Sequence, residues 1–158
     1  MADNTQADSN TKPDDPRQAR RLRLCFDVPG DPVGKGRPRF NRKTGRPFTP
    51  KKTIDYERRV AWLCAPVRIE GPVRVDVLAV FKRPQKLNAK RHPDGLMPYA
   101  GRTDLDNVIK AVLDGLQGRA FINDRQVIDI NARARYAERG GTPRTQIEVF
   151  ALADPPTN

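Results

Sequence analysis

Apolar and polar residues alternate at period two in four stretches of this chain and at helical spacing in two more. From Arg21 to Val28, Leu22, Leu24, Phe26 and Val28 share one face and Arg21, Arg23, Cys25 and Asp27 the other, the pattern of a half-buried strand that Pro29 and Gly30 end. Val73 to Lys82 alternates Val73, Val75, Val77, Ala79 and Phe81, and Leu78 and Val80 make its second face apolar too, which predicts a central strand. Val127 to Tyr136 and Thr145 to Leu152 read as two further strands, and the ERGGTPR between them predicts a hairpin-like turn.

Two amphipathic helices complete the set. Thr53 to Cys64 places Ile54, Val60, Ala61 and Cys64 among polar positions, with Thr53 as cap and Pro66 as stop. Its aromatics, Tyr56 and Trp62, are expected in the core. With Thr103 as N-cap, a second helix runs from Asp104 to about Gln117 before Gly118, and Leu105, Ile109, Val112, Leu113 and Leu116 form its apolar stripe. These elements predict the α+β class, with a mixed β-sheet packed against helices. A chain of 158 residues suffices for one such domain and is too short for two well-cored ones. The domain is expected over residues 19–153, between a polar tail at 1–18 and a flexible end at 154–158.

Charge narrows the partner. Lys and Arg number 30 against 19 Asp and Glu, a net charge of +11 that favours polyanions, chiefly nucleic acid. The tail carries Asp3, Asp8, Asp14 and Asp15 against Lys12 and Arg17 and has no apolar periodicity, so disorder is expected there and the remainder is more basic still. Lys35, Arg37, Arg39, Arg42, Lys43, Arg46, Lys51 and Lys52 follow Asp31 without an acidic neighbour, in a segment whose Pro and Gly forbid a helix. Phe40 and Phe48 punctuate it. Such a segment can track a phosphate backbone and stack aromatics on exposed bases; the plainer alternative is a solvated hairpin whose two Phe pack on the core. A second aperiodic stretch, Pro84 to Arg102, leads into the acidic helix, and loops of that length in compact domains are usually functional.

Several chemistries fall away. Cys25 and Cys64 sit among apolar residues without zinc-site spacing, and both are expected as buried thiols in a reducing cytoplasm. No charged-then-apolar leader is expected, and no apolar run nears the roughly 20 residues that span a bilayer. The one histidine, His92, lies in a loop rich in Pro and Lys, so Ser-His and Cys-His chemistry lack their usual base. Any hydrolysis must rest on carboxylates and metal.

Those carboxylates are in TDLDNVIKAVLDGLQGRAFINDRQVID, residues 103–129. Asp106, Lys110 and Asp114 align at i, i+4 and i+8, Asp104 stands at the first turn, and Asp124 follows a glycine-containing turn. Each charge also has an ordinary account. Thr103 with Asp106 resembles a capping box, Asp104 suits the helix dipole, and Asp106 with Lys110 is a common helix ion pair. A metal site needs Asp104, Asp106 and Asp124 to converge, with water and phosphate filling the rest of a Mg²⁺ shell.

The DLDNVIKAVLDGL run from Asp104, the NDRQV from Asn123, and the upstream GKGRPR and FTPKKTIDYE strings resemble the RusA-type Holliday junction resolvases, endodeoxyribonucleases of bacteria and their prophages. The resemblance covers about residues 22–152. It implies that Asp104, Asp106 and Asp124 bind Mg²⁺ or Mn²⁺, that Lys110 assists phosphoryl chemistry, and that a homodimer makes paired cuts in branched DNA, four-way junctions above all. The basic residues of the two loops, Arg102 included, would hold the DNA arms. Position 123 departs from the pattern: it is Asn123 where relatives often have an acid, so the ligand role falls to Asp124. The alternative is a non-catalytic relative of phage origin that holds branched nucleic acid without cutting it.

Overall fold

A computed structural model describes residues 21–152. Strands β1 (Arg21–Pro29), β4 (Val73–Phe81), β5 (Met97–Pro98), β6 (Val127–Tyr136) and β7 (Arg144–Ala151) form one mixed sheet in the order β1-β7-β4-β6-β5. A separate two-stranded ribbon pairs β2 (Arg39–Phe40) with β3 (Pro47–Phe48). The helices are α1 (Lys51–Leu63) and α2 (Leu105–Leu116). The tail expected at 1–18 and the end expected at 154–158 lie outside the described residues.

β4 is central, as its two apolar faces require. It pairs antiparallel with β7 on one side and parallel with β6 on the other. The predicted hairpin between the last two strands is therefore corrected: β4 lies between β6 and β7, and residues 137–143 step across it. A strand apolar on both faces gains more from two neighbours than from an edge position. Parallel β4 and β6 need a long crossover, and that crossover carries α2.

Val73, Val75, Val77 and Ala79 of β4, with Val28, Ile147 and Val149 from the neighbouring strands, meet Tyr56 and Val60 of α1 and Val108, Val112 and Leu116 of α2 in one core. The helices approach closely at Gly115, where an added Cβ would lie 2.7 Å from the Val60 Cβ and 2.8 Å from the Glu57 carbonyl oxygen. The other face of β4 is apolar at Leu78 and Val80 and polar nearer its start, where Arg74 is bound to Asp76 and, at 2.9 Å, to Asp129. No helix among the described residues is long and apolar enough to cross a membrane.

Three expectations change in detail. α1 begins at Lys51 after Pro50, so Thr53 is buried inside the helix rather than capping it, and its Oγ1 accepts the Gly36 N–H at 3.2 Å. Tyr56 is in the core, but Trp62 is 80% exposed, because Thr53, Tyr56 and Val60 define the inward face and Trp62 points the opposite way. Cys64 is buried while Cys25, on the wet face of β1 between Arg23 and Asp27, is exposed; both are free thiols.

Candidate active site

The start of α2 is fixed from three sides. Tyr99 stacks on Phe81 with ring centroids 3.9 Å apart and meets Tyr136 edge-on at 5.0 Å, and its hydroxyl oxygen accepts the Thr103 N–H at 3.2 Å. The loop before it is organised by Arg83, a buried guanidinium that donates to the carbonyls of Leu87 and Pro93 at 2.7 Å each and of Gly95 at 3.3 Å. On the third side the glycine-rich segment lies against the first turn: the Lys35 N–H donates to the Asn107 carbonyl at 2.8 Å. Gly36 is needed there by close approach, since a Cβ would stand 2.9 Å from Pro50.

Asp104, rather than Thr103, is the N-cap residue, and it makes no side-chain cap hydrogen bond. The capping box suggested for Thr103 and Asp106 is thus absent, and the Asp104 carboxylate is exposed, touched only loosely by the Asn107 amide at 3.5 Å. Asp106 and Lys110 form the expected pair, Nζ to Oδ2 at 3.1 Å, and that hydrogen bond holds the Asp106 carboxyl below its usual range. Two exposed carboxylates and an ammonium therefore share the outer side of the helix entrance. A shallow groove beside them is lined by Gly34, Arg39, Lys52, Arg102, Asp104 and Asn107.

The candidate DNA-binding cations separate into two sets. Lys35 is turned inward: its ammonium bonds the Asp114 carboxylate and lies 3.8 Å from Glu57, and the Asp114 bond raises its pKa. Burial is the main reason the Glu57 carboxyl is pushed up, with Lys35 opposing it. Lys51 is paired with Asp55 at 2.6 Å. Arg37, Arg39, Arg42, Lys43, Arg46, Lys52 and Arg102 are exposed and form no ion pair among the described residues. The ribbon carries its aromatics outward, Phe40 70% and Phe48 48% exposed, so they do not pack on the core. Asn41 shapes the ribbon turn by accepting the Lys43 N–H at 2.8 Å, and Gly45 takes a φ of +66° there.

Asp124 stands elsewhere. Asn123 opens a short 3-10 turn and its side chain accepts the Arg125 N–H at 2.9 Å, while the Gln126 side chain accepts the Asn123 N–H at 2.9 Å. The Gln126 amide also donates to the carbonyls of Ile69 and Gly71 at 2.8 Å each, tying the turn to the approach of β4. Asp104 stands by the end of β4, where Tyr99 bonds Thr103 and stacks on Phe81, whereas Asp124 stands by its start, where Gln126 bonds Ile69 and Gly71, so the two acids adjoin opposite ends of that strand. The convergence expected of the three acids does not occur within one chain, and no group of three His, Cys, Asp or Glu among the described residues is placed to hold an ion. Asp104 and Asp106 alone still suit Mg²⁺, which is commonly held by one or two carboxylates with water and substrate phosphate completing its shell. Arg83 and Tyr99 belong to none of the motifs in the sequence, where an arginine at the end of an apolar strand is their one local signal, and Gln126 stands out there only as part of NDRQV.

Known proteins place this arrangement in context. The family model described as endodeoxyribonuclease RusA matches residues 29–150. A protein of Bacillus subtilis (strain 168), described as uncharacterized protein YqaN, is 30% identical over 137 residues, covering 80% of this chain and 94% of that protein.

Proposed function

This chain belongs to the RusA endodeoxyribonuclease family, and from that premise we propose that it is a homodimeric, divalent-metal-dependent nuclease that resolves four-way DNA junctions by paired nicks in strands of like polarity. The observation that carries the proposal is the exposed trio Asp104, Asp106 and Lys110 beside a groove lined with Arg39, Lys52 and Arg102. Exposed acids, set next to cations with no ion pair among the described residues, match hydrolysis of a phosphodiester. Two copies related by a dyad would supply the two cuts that a two-fold symmetric junction needs.

When bound, Mg²⁺ or Mn²⁺ supplies Lewis acidity to the scissile phosphodiester. The chain's own groups do the rest. Asp106 is kept ionised by its hydrogen bond to Lys110 and, with Asp104, offers hard oxygen donors. Lys110 sets positive charge where the phosphorane-like transition state gains negative charge. Arg39, Lys52 and Arg102 position the strand through its phosphates, which gives affinity and register without base specificity. Water adds to phosphorus as the bond to the 3′ oxygen breaks.

An end-labelled mobile four-way junction and a matched linear duplex, each incubated with Mg²⁺ or chelator at two salt concentrations, test this. Symmetrical metal-dependent nicks confined to the junction are expected. Tight junction binding without nicks would instead identify a branched-nucleic-acid-binding protein.

A further inference from the structure

The ribbon beside the groove carries two aromatic rings, and neither packs on the core. β2 and β3 form a sheet of their own, and every residue from Arg37 to Phe48 is exposed, so the ribbon stands out from the body. Single exposed apolar side chains are ordinary on a protein surface. Two rings on one projecting ribbon, in a stretch with no acid from Pro32 to Ile54, point to a ligand that is both flat and polyanionic.

Strand register sets where the rings point. Arg39 pairs with Phe48 and Phe40 with Pro47. Directly paired residues of an antiparallel ladder share a face, and successive residues alternate. Phe48 therefore lies with Arg39 on one face of the ribbon and Phe40 with Pro47 on the other. Arg39 lines the groove beside Asp104, which turns the Phe48 face toward the acids and the Phe40 face away from them. The exposures agree, 48% for Phe48 against 70% for Phe40. The turn that joins the strands is closed by its own bonds: the Asn41 N–H donates to the Arg46 carbonyl at 2.9 Å and the Gly45 N–H to the Asn41 carbonyl at 2.8 Å. A ribbon ordered in advance loses little freedom on binding.

We propose that this ribbon reads the branch: it enters the point where two DNA arms diverge, with Phe48 stacked on the terminal base of the arm in the groove and Phe40 on the terminal base of the neighbouring arm. This rests on the junction-directed function proposed above and adds the element that tells a junction from a duplex. Inside a continuous duplex each base is covered by the next pair, and a ring must first unstack it. Two rings on opposite faces need two open base faces turned toward each other. Diverging arms supply both, whereas a duplex end supplies one. Arg42, Lys43 and Arg46, exposed around the turn, then lie where the phosphates of the two arms crowd together and offset their repulsion.

Anisotropy titrations in chelator, where nicking plays no part, test the assignment. The probes are an immobile four-way junction, the same junction with abasic sites in place of the bases flanking the branch, and a matched duplex. Phe40→Ala and Phe48→Ala should each weaken binding to the intact junction by about 5- to 150-fold, the loss of one stacked base. The double variant should lose the product of the two, because the rings cover different bases. Duplex binding should stay unchanged.

On the abasic junction the wild type should bind as weakly as the double variant does on the intact one, and all the variants should bind it alike. This arm needs no variant, and since both rings are exposed the variants should keep the wild-type circular dichroism spectrum and melting temperature. Equal losses on the intact and abasic junctions, or a loss in only one of the two single variants, would overturn the proposal. The two readings fail separately. Base-dependent junction binding without nicks in Mg²⁺ would overturn the nuclease alone, and nicking without base dependence would overturn the role of the ribbon alone.

Discussion

The Lys35 ammonium is bound to the Asp114 carboxylate, two turns into α2 from the acids at its entrance, which makes Lys35 a clamp for the glycine-rich segment. Arg39 and Arg102, by contrast, line the groove beside Asp104 without a carboxylate partner among the described residues. Each phosphate neutralised by a protein cation contributes about 0.9 to the slope of log K against log salt on duplex arms. Arg39→Gln and Arg102→Gln should therefore each flatten the slope for junction binding by about 1. Lys35→Gln should leave it unchanged and lower thermal stability instead. Fluorescence anisotropy over a salt series checks this, and a flattened slope in Lys35→Gln would place that ammonium on the DNA.

Phe40 is 70% exposed on a ribbon surrounded by cations, where an aromatic gains nothing from the core. Stacking of a base on such a ring contributes about 1 to 3 kcal/mol. Phe40→Ala should thus weaken binding to a junction with unpaired bases at its crossover while leaving the melting temperature and duplex binding unaltered. Equal losses on junction and duplex would mean that the ring acts only through the shape of the ribbon.

Lys110 is exposed, and its ammonium is 3.1 Å from the Asp106 carboxylate. If it stabilises charge on the phosphate as the bond breaks, Lys110→Gln should slow single-turnover junction cleavage by about 100-fold or more while the junction Kd moves little. A loss confined to Kd would reassign Lys110 to strand binding.

Much of this was legible in the chain because it is local. The period of two in β1, β4 and β7, and the apolar stripe of α2, follow from burial of one face and need no knowledge of partners. The insertion of β4 between β6 and β7 was not legible, since turn residues such as Gly140 and Gly141 show that the chain reverses and not which strand it rejoins. The same holds for the site. Asp106 and Lys110 announce themselves by helical spacing and Asp104 by its place at the helix entrance, but Arg83 and Gln126 act through carbonyls apart from them in the sequence, such as Pro93 and Ile69, which no local pattern records. The separation of Asp124 from Asp104 follows from the opposite ends of β4 that they adjoin, through Gln126 with Ile69 and Tyr99 with Phe81, contacts that no local pattern records.

Arg83 is buried to 7% exposure and donates to carbonyls of the 84–95 loop. Arg83→Met should cost about 3 kcal/mol, because those carbonyls lose charge-assisted bonds in a site with little water. Since the loop leads to Tyr99 and so to the start of α2, the variant should also protect residues 84–95 less in hydrogen exchange. Wild-type exchange there, despite lower stability, would mean that the loop is held by its other contacts.

Tyr56 and Thr145 share a hydrogen bond 2.7 Å long inside the core, and burial pushes the Tyr56 phenol up to about 12. The folded state thus keeps a proton that the unfolded chain releases near pH 10. The contribution is fully present below that pH and is lost as pH rises toward 12, amounting to about 2 to 3 kcal/mol over the window. Tyr56→Phe removes the titrating group and leaves the Thr145 hydroxyl unpartnered, so it should cost about 1 kcal/mol at neutral pH. Between pH 9 and 11.5 its stability, measured by urea unfolding, should then fall less steeply than that of the wild type, so the two stabilities draw together and cross at about pH 10.7. Lysines ionise in the same window in both proteins, so the difference between them isolates the phenol. Parallel loss of stability in the two proteins would show that the Tyr56 proton is not held by the fold.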